Sequence, residues 1–289
     1  MTLPPPTHWT HRGLGLAYRA WGPEDGPAVL LLHGFLDTGA ALGPVAEKLA
    51  GPYRVVVPDH RGHGESDHIA SGGYYHFPDY VLDLDGLLTH LGLERVAIAG
   101  HSMGASIASY FGGAFPDRLW ALALLDGIGP PGDTEPGEAP ILVNRWIGDV
   151  RRRDSHEPRG HESLEAAARA IGRLAPTATE ERLIALADAA TKPGADGRRY
   201  WRFDPVHRTR APTGFDAARF RAFLKRIQCP TLAVWAEKSL MHASDENERL
   251  EALGDVEQQT LAGVGHNMHH EKPEALATLL RTFLDRCLP

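Results

Sequence analysis

One stretch limits what this chain can fold into more than any other. Ala97-Ile98-Ala99 is an apolar strand that runs without a spacer into Gly100-His101-Ser102-Met103-Gly104, and then into a helix of small residues opening Ala105-Ser106. A strand that becomes a helix over so few residues leaves no room for side chains beside the turn. A Cβ at Gly100 or Gly104 would collide with a neighbouring strand or helix backbone, so glycine is required there. The serine between them is pushed outward. The first turn of the following helix aims its unpaired N–H groups and positive dipole end at that hydroxyl, favouring negative charge beside Ser102. Acyl transfer needs a field of that sign.

The rest of the chain alternates strand and helix around this turn. Residues 14–21 alternate weakly and read as an outer antiparallel strand, whereas Ala28-Val29-Leu30-Leu31-Leu32 is continuously apolar, as a strand covered on both faces must be. Further strands are read at 53–57, 96–99, 119–125, 231–235 and 256–261, and helices at 40–50, 79–91, 105–115, 246–253 and 273–288. That rhythm predicts an α/β fold with a doubly wound, mostly parallel sheet. It breaks after Asp126. For about a hundred residues no buried strand pattern occurs; Pro and Gly crowd the first part, and residues 163–174, 180–190 and 215–227 then carry apolar residues at helical spacing. The expected organisation is a core domain of residues 1–126 and 226–289, with residues 127–225 as an inserted helical cap.

Composition narrows the function classes. At 289 residues the chain can bury a full core, and 43% apolar with 23% charged residues is ordinary for a globular protein. A net charge of −7 gives no reason to expect nucleic acid or an anionic membrane as partner. Two cysteines, Cys229 and Cys287, are too few for a disulfide framework and suggest a reducing compartment. With no basic-then-apolar leader pattern at the start and no apolar run of membrane-spanning length, the expected location is cytoplasmic.

Four stretches together resemble the α/β-hydrolase superfamily: His33-Gly34-Phe35, residues 59–66 (Asp59 to Ser66 with Gly62 and Gly64), Gly100-His101-Ser102-Met103-Gly104, and Gly265-His266 through Pro273. Their order spans nearly the whole chain, and the pattern is most similar to serine hydrolase-like proteins. In the related dehalogenases and epoxide hydrolases the residue on the turn is an aspartate; Ser102 argues against both activities.

The resemblance implies Ser102 as nucleophile and His266 as its base. A serine hydroxyl is a poor nucleophile at neutral pH, and an imidazole on a loop after the last strand suits the task of taking and returning its proton. The acid departs from the usual pattern. Most relatives place an aspartate after the strand at 231–235, where this chain reads Ala236-Glu237-Lys238-Ser239, with Ser239 in the expected position. Asp126, ending the strand beyond the one that carries Ser102, is the preferred acid, and Glu237 the alternative. The backbone N–H groups of Phe35 and Met103 are the oxyanion donors the resemblance implies. His33 and the 59–66 loop are expected to order the backbone rather than react.

The expected activity is that of a carboxylesterase-like serine hydrolase, cleaving a small ester, thioester or related acyl substrate through an acyl-enzyme. Alternatives are a carbon–carbon bond hydrolase acting on a diketone, and a low-turnover ligand-binding receptor of the same fold. No cofactor is called for. A metal site around His269 and His270 lacks a carboxylate or thiol partner set in the nearby sequence. Trp146, Tyr200, Trp201 and Phe203 are candidates to line a substrate pocket, and Arg151-Arg152-Arg153 and Arg198-Arg199 to bind a substrate carboxylate. The partner is a small molecule, and the oligomeric state is open.

Overall fold

Continuously apolar strands set the architecture, because a strand buried on both faces must lie inside a sheet covered by helices. In the computed structural model, which describes residues 3–70, 72–130, 132 and 134–288, the strands in chain order are β1 (Thr7–His11), β2 (Leu14–Trp21), β3 (Ala28–Leu32), β4 (Arg54–Asp59), β5 (Val96–His101), β6 (Leu119–Leu125), β7 (Thr191–Pro193), β8 (Arg199–Trp201), β9 (Thr231–Ala236) and β10 (Val256–Leu261). Met1, Thr2, Ser71, Pro131, Asp133 and Pro289 lie outside the described residues; two of these fall in the expected cap.

Among the described residues eight strands form one sheet in the order β1-β2-β4-β3-β5-β6-β9-β10. β2 runs antiparallel to both β1 and β4, and the remaining pairs are parallel. The expected outer strand, β2, is therefore one place inside the edge, because residues 7–11 add a further strand. β5 sits centrally, between β3 and β6. Every residue of β3, β5 and β6 is buried.

The helices are α1 (Gly43–Leu49), α2 (Phe77–His90), α3 (Met103–Ala114), α4 (Ala139–Asp154), α5 (Leu164–Gly172), α6 (Glu180–Ala190), α7 (Ala217–Leu224), α8 (Glu246–Leu253), α9 (Met268–Glu271) and α10 (Pro273–Cys287). Alternate strand residues feed two cores. Leu30, Leu32, Leu122 and Leu124 pack with Leu84, Leu87, Phe111, Phe220 and Leu224 of α2, α3 and α7. Val29, Leu31, Ala123 and Leu125 pack on the other face with Val45, Leu49, Leu280 and Phe283 of α1 and α10. Each such fully buried aliphatic or aromatic side chain contributes about 1.5–3 kcal/mol.

Between β6 and β9 the chain carries α4, α5, α6, the short β7–β8 ribbon and α7. Ser163 and Thr179 cap α5 and α6, their hydroxyls accepting from the N–H of Ala166 and Arg182. α5 and α6 pair through a small cluster of Ala167, Ala168 and Ala187. α7 belongs with the sheet-flanking helices by its packing, since Phe220 and Leu224 sit in the main core. No helix among the described residues is long and apolar enough to cross a membrane.

Candidate active site

The carboxyl ends of the parallel strands gather the residues singled out from sequence, as open α/β sheets do with their ligand sites. Ser102 follows β5 with φ 52° and ψ −111°, a conformation rare for a residue with a side chain. The two flanking glycines explain how the turn closes. A Cβ on Gly100 would lie 2.3 Å from the Gly104 carbonyl oxygen, and one on Gly104 would lie 2.4 Å from that of Leu32. The Ser102 N–H donates to the Leu125 carbonyl at 3.0 Å, tying the turn to the end of β6.

Asp126 is the next residue along β6 and also has positive φ, 48°. Its side chain is buried. Oδ1 accepts from the Ala236 N–H at 2.9 Å, and Oδ2 accepts from both Ser239 Oγ at 2.5 Å and His266 Nδ1 at 2.6 Å. His266, on the loop after β10, places Nε2 3.0 Å from Ser102 Oγ. Because a carboxylate only accepts, the proton of the neutral imidazole sits on Nδ1, and the Nε2 lone pair faces the serine hydroxyl. Ser102, His266 and Asp126 thus form one hydrogen-bonded chain. Glu237 is elsewhere: its Oε2 accepts from the Gly263 N–H at 2.7 Å on an exposed turn.

The loop after β3 lies beside the turn that follows β5, where a Cβ on Gly34 would sit 3.4 Å from that of Ser102. His33 Nδ1 donates to the Gly34 carbonyl at 2.8 Å, and its Nε2 accepts from the His60 N–H at 3.0 Å. Burial lowers the His33 pKa, favouring the neutral ring those two bonds require. Asp59 binds the Gly39 and Glu65 N–H groups at 2.7 and 3.0 Å, and His63 Nε2 accepts from Leu36 N–H at 3.3 Å. The 59–66 loop therefore holds backbone, as its glycine-punctuated polar sequence suggests. Met103 opens α3, where an N–H has no acceptor within the helix, and Phe35 lines the same cavity.

His269 and His270 do not lack a carboxylate partner: the fold brings Asp37 to them from the other end of the chain. Asp37 Oδ2 accepts from His269 Nε2 at 2.8 Å and His270 Nε2 at 3.0 Å. The imidazoles outweigh burial, which alone would raise it, and hold the Asp37 carboxyl well below the usual carboxylate range. The three donors lie within 4.8 Å of one another, a spacing also compatible with a metal. Yet a ligating imidazole ordinarily donates its second N–H to an acceptor, and Nδ1 of both rings is buried without one. We read the cluster as a clamp. His101 extends it, its ring 4.4 Å from that of His269 and its Nε2 donating to the His266 carbonyl at 2.8 Å.

Two cavities meet at this point, both lined by Phe35, Ser102, Met241 and His266. The smaller, about 370 Å³, is walled by Tyr74, Tyr75, Phe77, Tyr80 and Met103. The larger, about 650 Å³, runs under α5 and α6 past Ile171, Leu186, Trp201 and Phe203. Of the pocket candidates, Trp201 and Phe203 line it, while Trp146 and Tyr200 line neither cavity. The tyrosines were not singled out, although Tyr74-Tyr75-His76-Phe77 is a dense aromatic run. Arg249 was also missed: fully buried, it donates to the carbonyls of Ile128 and Pro130 at 2.6 and 2.8 Å and so fixes the segment leaving Asp126.

Residues 27–273 match the family model described as alpha/beta hydrolase fold. The chain belongs to the α/β-hydrolase fold family. A serine hydrolase-like protein of Danio rerio is 37% identical over 111 residues, which are 38% of this chain and only 34% of that protein. A 3-hydroxybutyrate-oligomer hydrolase of Cupriavidus necator is 31% identical over 277 residues, covering 91% of this chain and 90% of that one. Among solved structures, a thioesterase domain from the curacin biosynthetic pathway superposes with a TM-score of 0.83 at 28% identity, over 96% of this chain and 98% of that one.

Proposed function

We propose that this α/β-hydrolase-fold protein is a serine hydrolase acting on a carboxylic ester or thioester, with Ser102, His266 and Asp126 as its triad. The observation that carries this is the His266 ring, with one nitrogen 3.0 Å from Ser102 Oγ and the other 2.6 Å from a buried Asp126 oxygen. The named relatives support ester and thioester chemistry, since one is a hydrolase of 3-hydroxybutyrate oligomers and another a thioesterase.

On this reading each step has a named group. Ser102 Oγ attacks the carbonyl carbon while its proton passes to His266 Nε2. Asp126 stabilises the imidazolium that forms and holds the tautomer, without taking the proton itself. Negative charge on the carbonyl oxygen is met by the N–H groups of Met103 and Phe35, with the dipole of α3 behind the first. His266 then protonates the leaving alkoxide or thiolate; water attacks the acyl-enzyme with His266 again as base, and the acid leaves as the bond to Ser102 Oγ breaks and that oxygen takes the proton back.

Reaction with a fluorophosphonate probe tests this directly. The expected result is one adduct on Ser102, abolished in Ser102→Ala, which should also lower p-nitrophenyl acetate hydrolysis on the order of 10³-fold or more. Folded protein that neither labels nor turns over would favour a binding role over catalysis.

A further inference from the structure

The larger cavity is electrostatically lopsided. Its lining joins Ser102 and His266 with two arginines, Arg173 and Arg208, that stand near His161. Neither arginine has an ion pair or side-chain hydrogen bond among the described residues. Arg208 lies over the Phe203 ring, with its guanidinium carbon 5.0 Å from the ring centroid. Both charges reach His161: after burial, Arg208 and then Arg173 lower its pKa.

Counter-charge is scarce along this wall. The one carboxylate among the lining residues is Asp37, whose Oδ2 takes two imidazole protons and whose Oδ1 takes the Thr38 N–H at 2.8 Å. The arginine runs singled out from sequence differ in this respect. Arg152 pairs with Asp149, Arg153 with Asp154, Arg198 with Asp196 and Arg199 with Asp188, and none of the five lines either cavity at Ser102.

We propose that Arg173 and Arg208 bind an anionic oxygen group at the far end of the substrate, a carboxylate or a phosphate, while its ester or thioester linkage lies at Ser102. This rests on the hydrolase reading given above. Trp201, Phe203 and Ile171 provide the apolar wall along which the intervening carbon chain lies. Two guanidiniums with free N–H forks suit a planar or tetrahedral oxyanion, and their exposure at the cavity's edge lets the anionic head keep part of its water. In a chain with net charge −7, such a local positive site also discriminates against neutral esters of the same length.

The test compares kcat/KM for esters ending in carboxylate, in phosphate and in a neutral amide of matched length, with the anionic end placed either on the acyl arm or on the alcohol arm. Wild-type protein should prefer at least one anionic tail about tenfold, a discrimination of the size one charge-assisted contact provides. The double variant Arg173→Gln, Arg208→Gln should bring that ratio close to one, whereas Arg286→Gln, an exposed residue paired with Glu257, should leave it unchanged. Whichever tail shows the preference identifies carboxylate or phosphate. Equal rates for all tails in wild type, or an undiminished preference in the double variant, overturn the assignment. If no ester is cleaved, the hydrolase reading fails on its own. The anion site is then decided by calorimetric binding of the same compounds to Ser102→Ala with and without the two Gln substitutions, where loss of carboxylate or phosphate binding supports it and equal binding of all tails refutes it.

Discussion

Ser239 Oγ lies 2.5 Å from the same Asp126 oxygen that accepts the His266 Nδ1 proton. The serine stands where the resemblance to this fold family implies an acid, and in the triad we propose the acid lies one strand inward, with Ser239 donating to it. A hydrogen bond to a charged acceptor is worth about 1.5–3 kcal/mol, and removing it frees the carboxylate to rotate. Ser239→Ala should therefore lower kcat/KM about tenfold, equivalent to 1.4 kcal/mol of barrier. Ser239→Asp should be worse, because two carboxylates at hydrogen-bond distance cannot both be ionised. Combined with Asp126→Asn, however, the new carboxylate at 239 should recover part of the activity that Asp126→Asn loses. Steady-state rates of Asp126→Asn, Ser239→Asp and the double variant decide whether the two positions exchange roles.

The acid itself separates cleanly by substitution. Asp126→Asn preserves shape but favours the wrong imidazole tautomer, and kcat should fall on the order of 10³–10⁴-fold. Glu237→Gln removes a charge that binds only the Gly263 N–H, and its effect should stay within about threefold. A large loss from the second substitution and a small one from the first would transfer the role to Glu237.

Backbone clash makes the turn intolerant in a specific way. Gly104→Ala places a methyl 2.4 Å from the Leu32 carbonyl oxygen, and the opposing atoms are backbone rather than a flexible side-chain tip. Relief must come from moving β3 against α3, at a cost of about 3 kcal/mol or more. A fall in Tm of about 5 °C or more is expected for a chain of this size. By contrast, Gly92→Ala has open space around the new Cβ and only its φ of 66° against it, so the loss should be smaller. Parallel thermal melts of the two variants test the ranking.

Much of this arrangement was legible because its local requirements are strict. Gly100, Ser102 and Gly104 mark a strand-to-helix turn that few other residues can make, and the unbroken apolar run 28–32 can only be an inner strand. What escaped reading lacks such a signature. α4 was missed because it follows a stretch crowded with Pro and Gly, and its apolar residues, Ile141 to Val150, lie exposed or half-buried rather than marking a buried face. β1 is five residues of mixed polarity with an exposed edge. Asp37 could not be joined to His269 and His270 because 232 residues separate it from the first of them and no periodicity spans that gap. The arginine runs drew attention through density, yet dense charge beside Asp149, Asp154, Asp188 and Asp196 becomes surface ion pairs. Arg173 and Arg208 stand singly, and only the folded cavity distinguishes them.

The buried imidazoles predict acid sensitivity of defined sign. Burial lowers the pKa of His207 and of His269 from 6.5 to about 4, and lowers His60, His63 and His101 as well. In the unfolded chain these rings take up protons near pH 6.5, so below that value the unfolded state binds more protons than the folded one and stability falls. The loss runs from about pH 6.5 down to about pH 4, where the folded rings also protonate. For His207 and His269 each, the two values correspond to about 2 kcal/mol lost between pH 7 and pH 4.5. Asp37, with its depressed pKa, adds a loss in the same direction at still lower pH. Denaturant unfolding at pH 7, 5.5 and 4.5 should show this fall, and His269→Gln should flatten it, since the amide keeps a donor toward Asp37 but takes up no proton. A stability constant down to pH 4.5 would mean that these rings charge in place, and the Asp37 clamp would then be an ion pair rather than a carboxylate held by neutral rings.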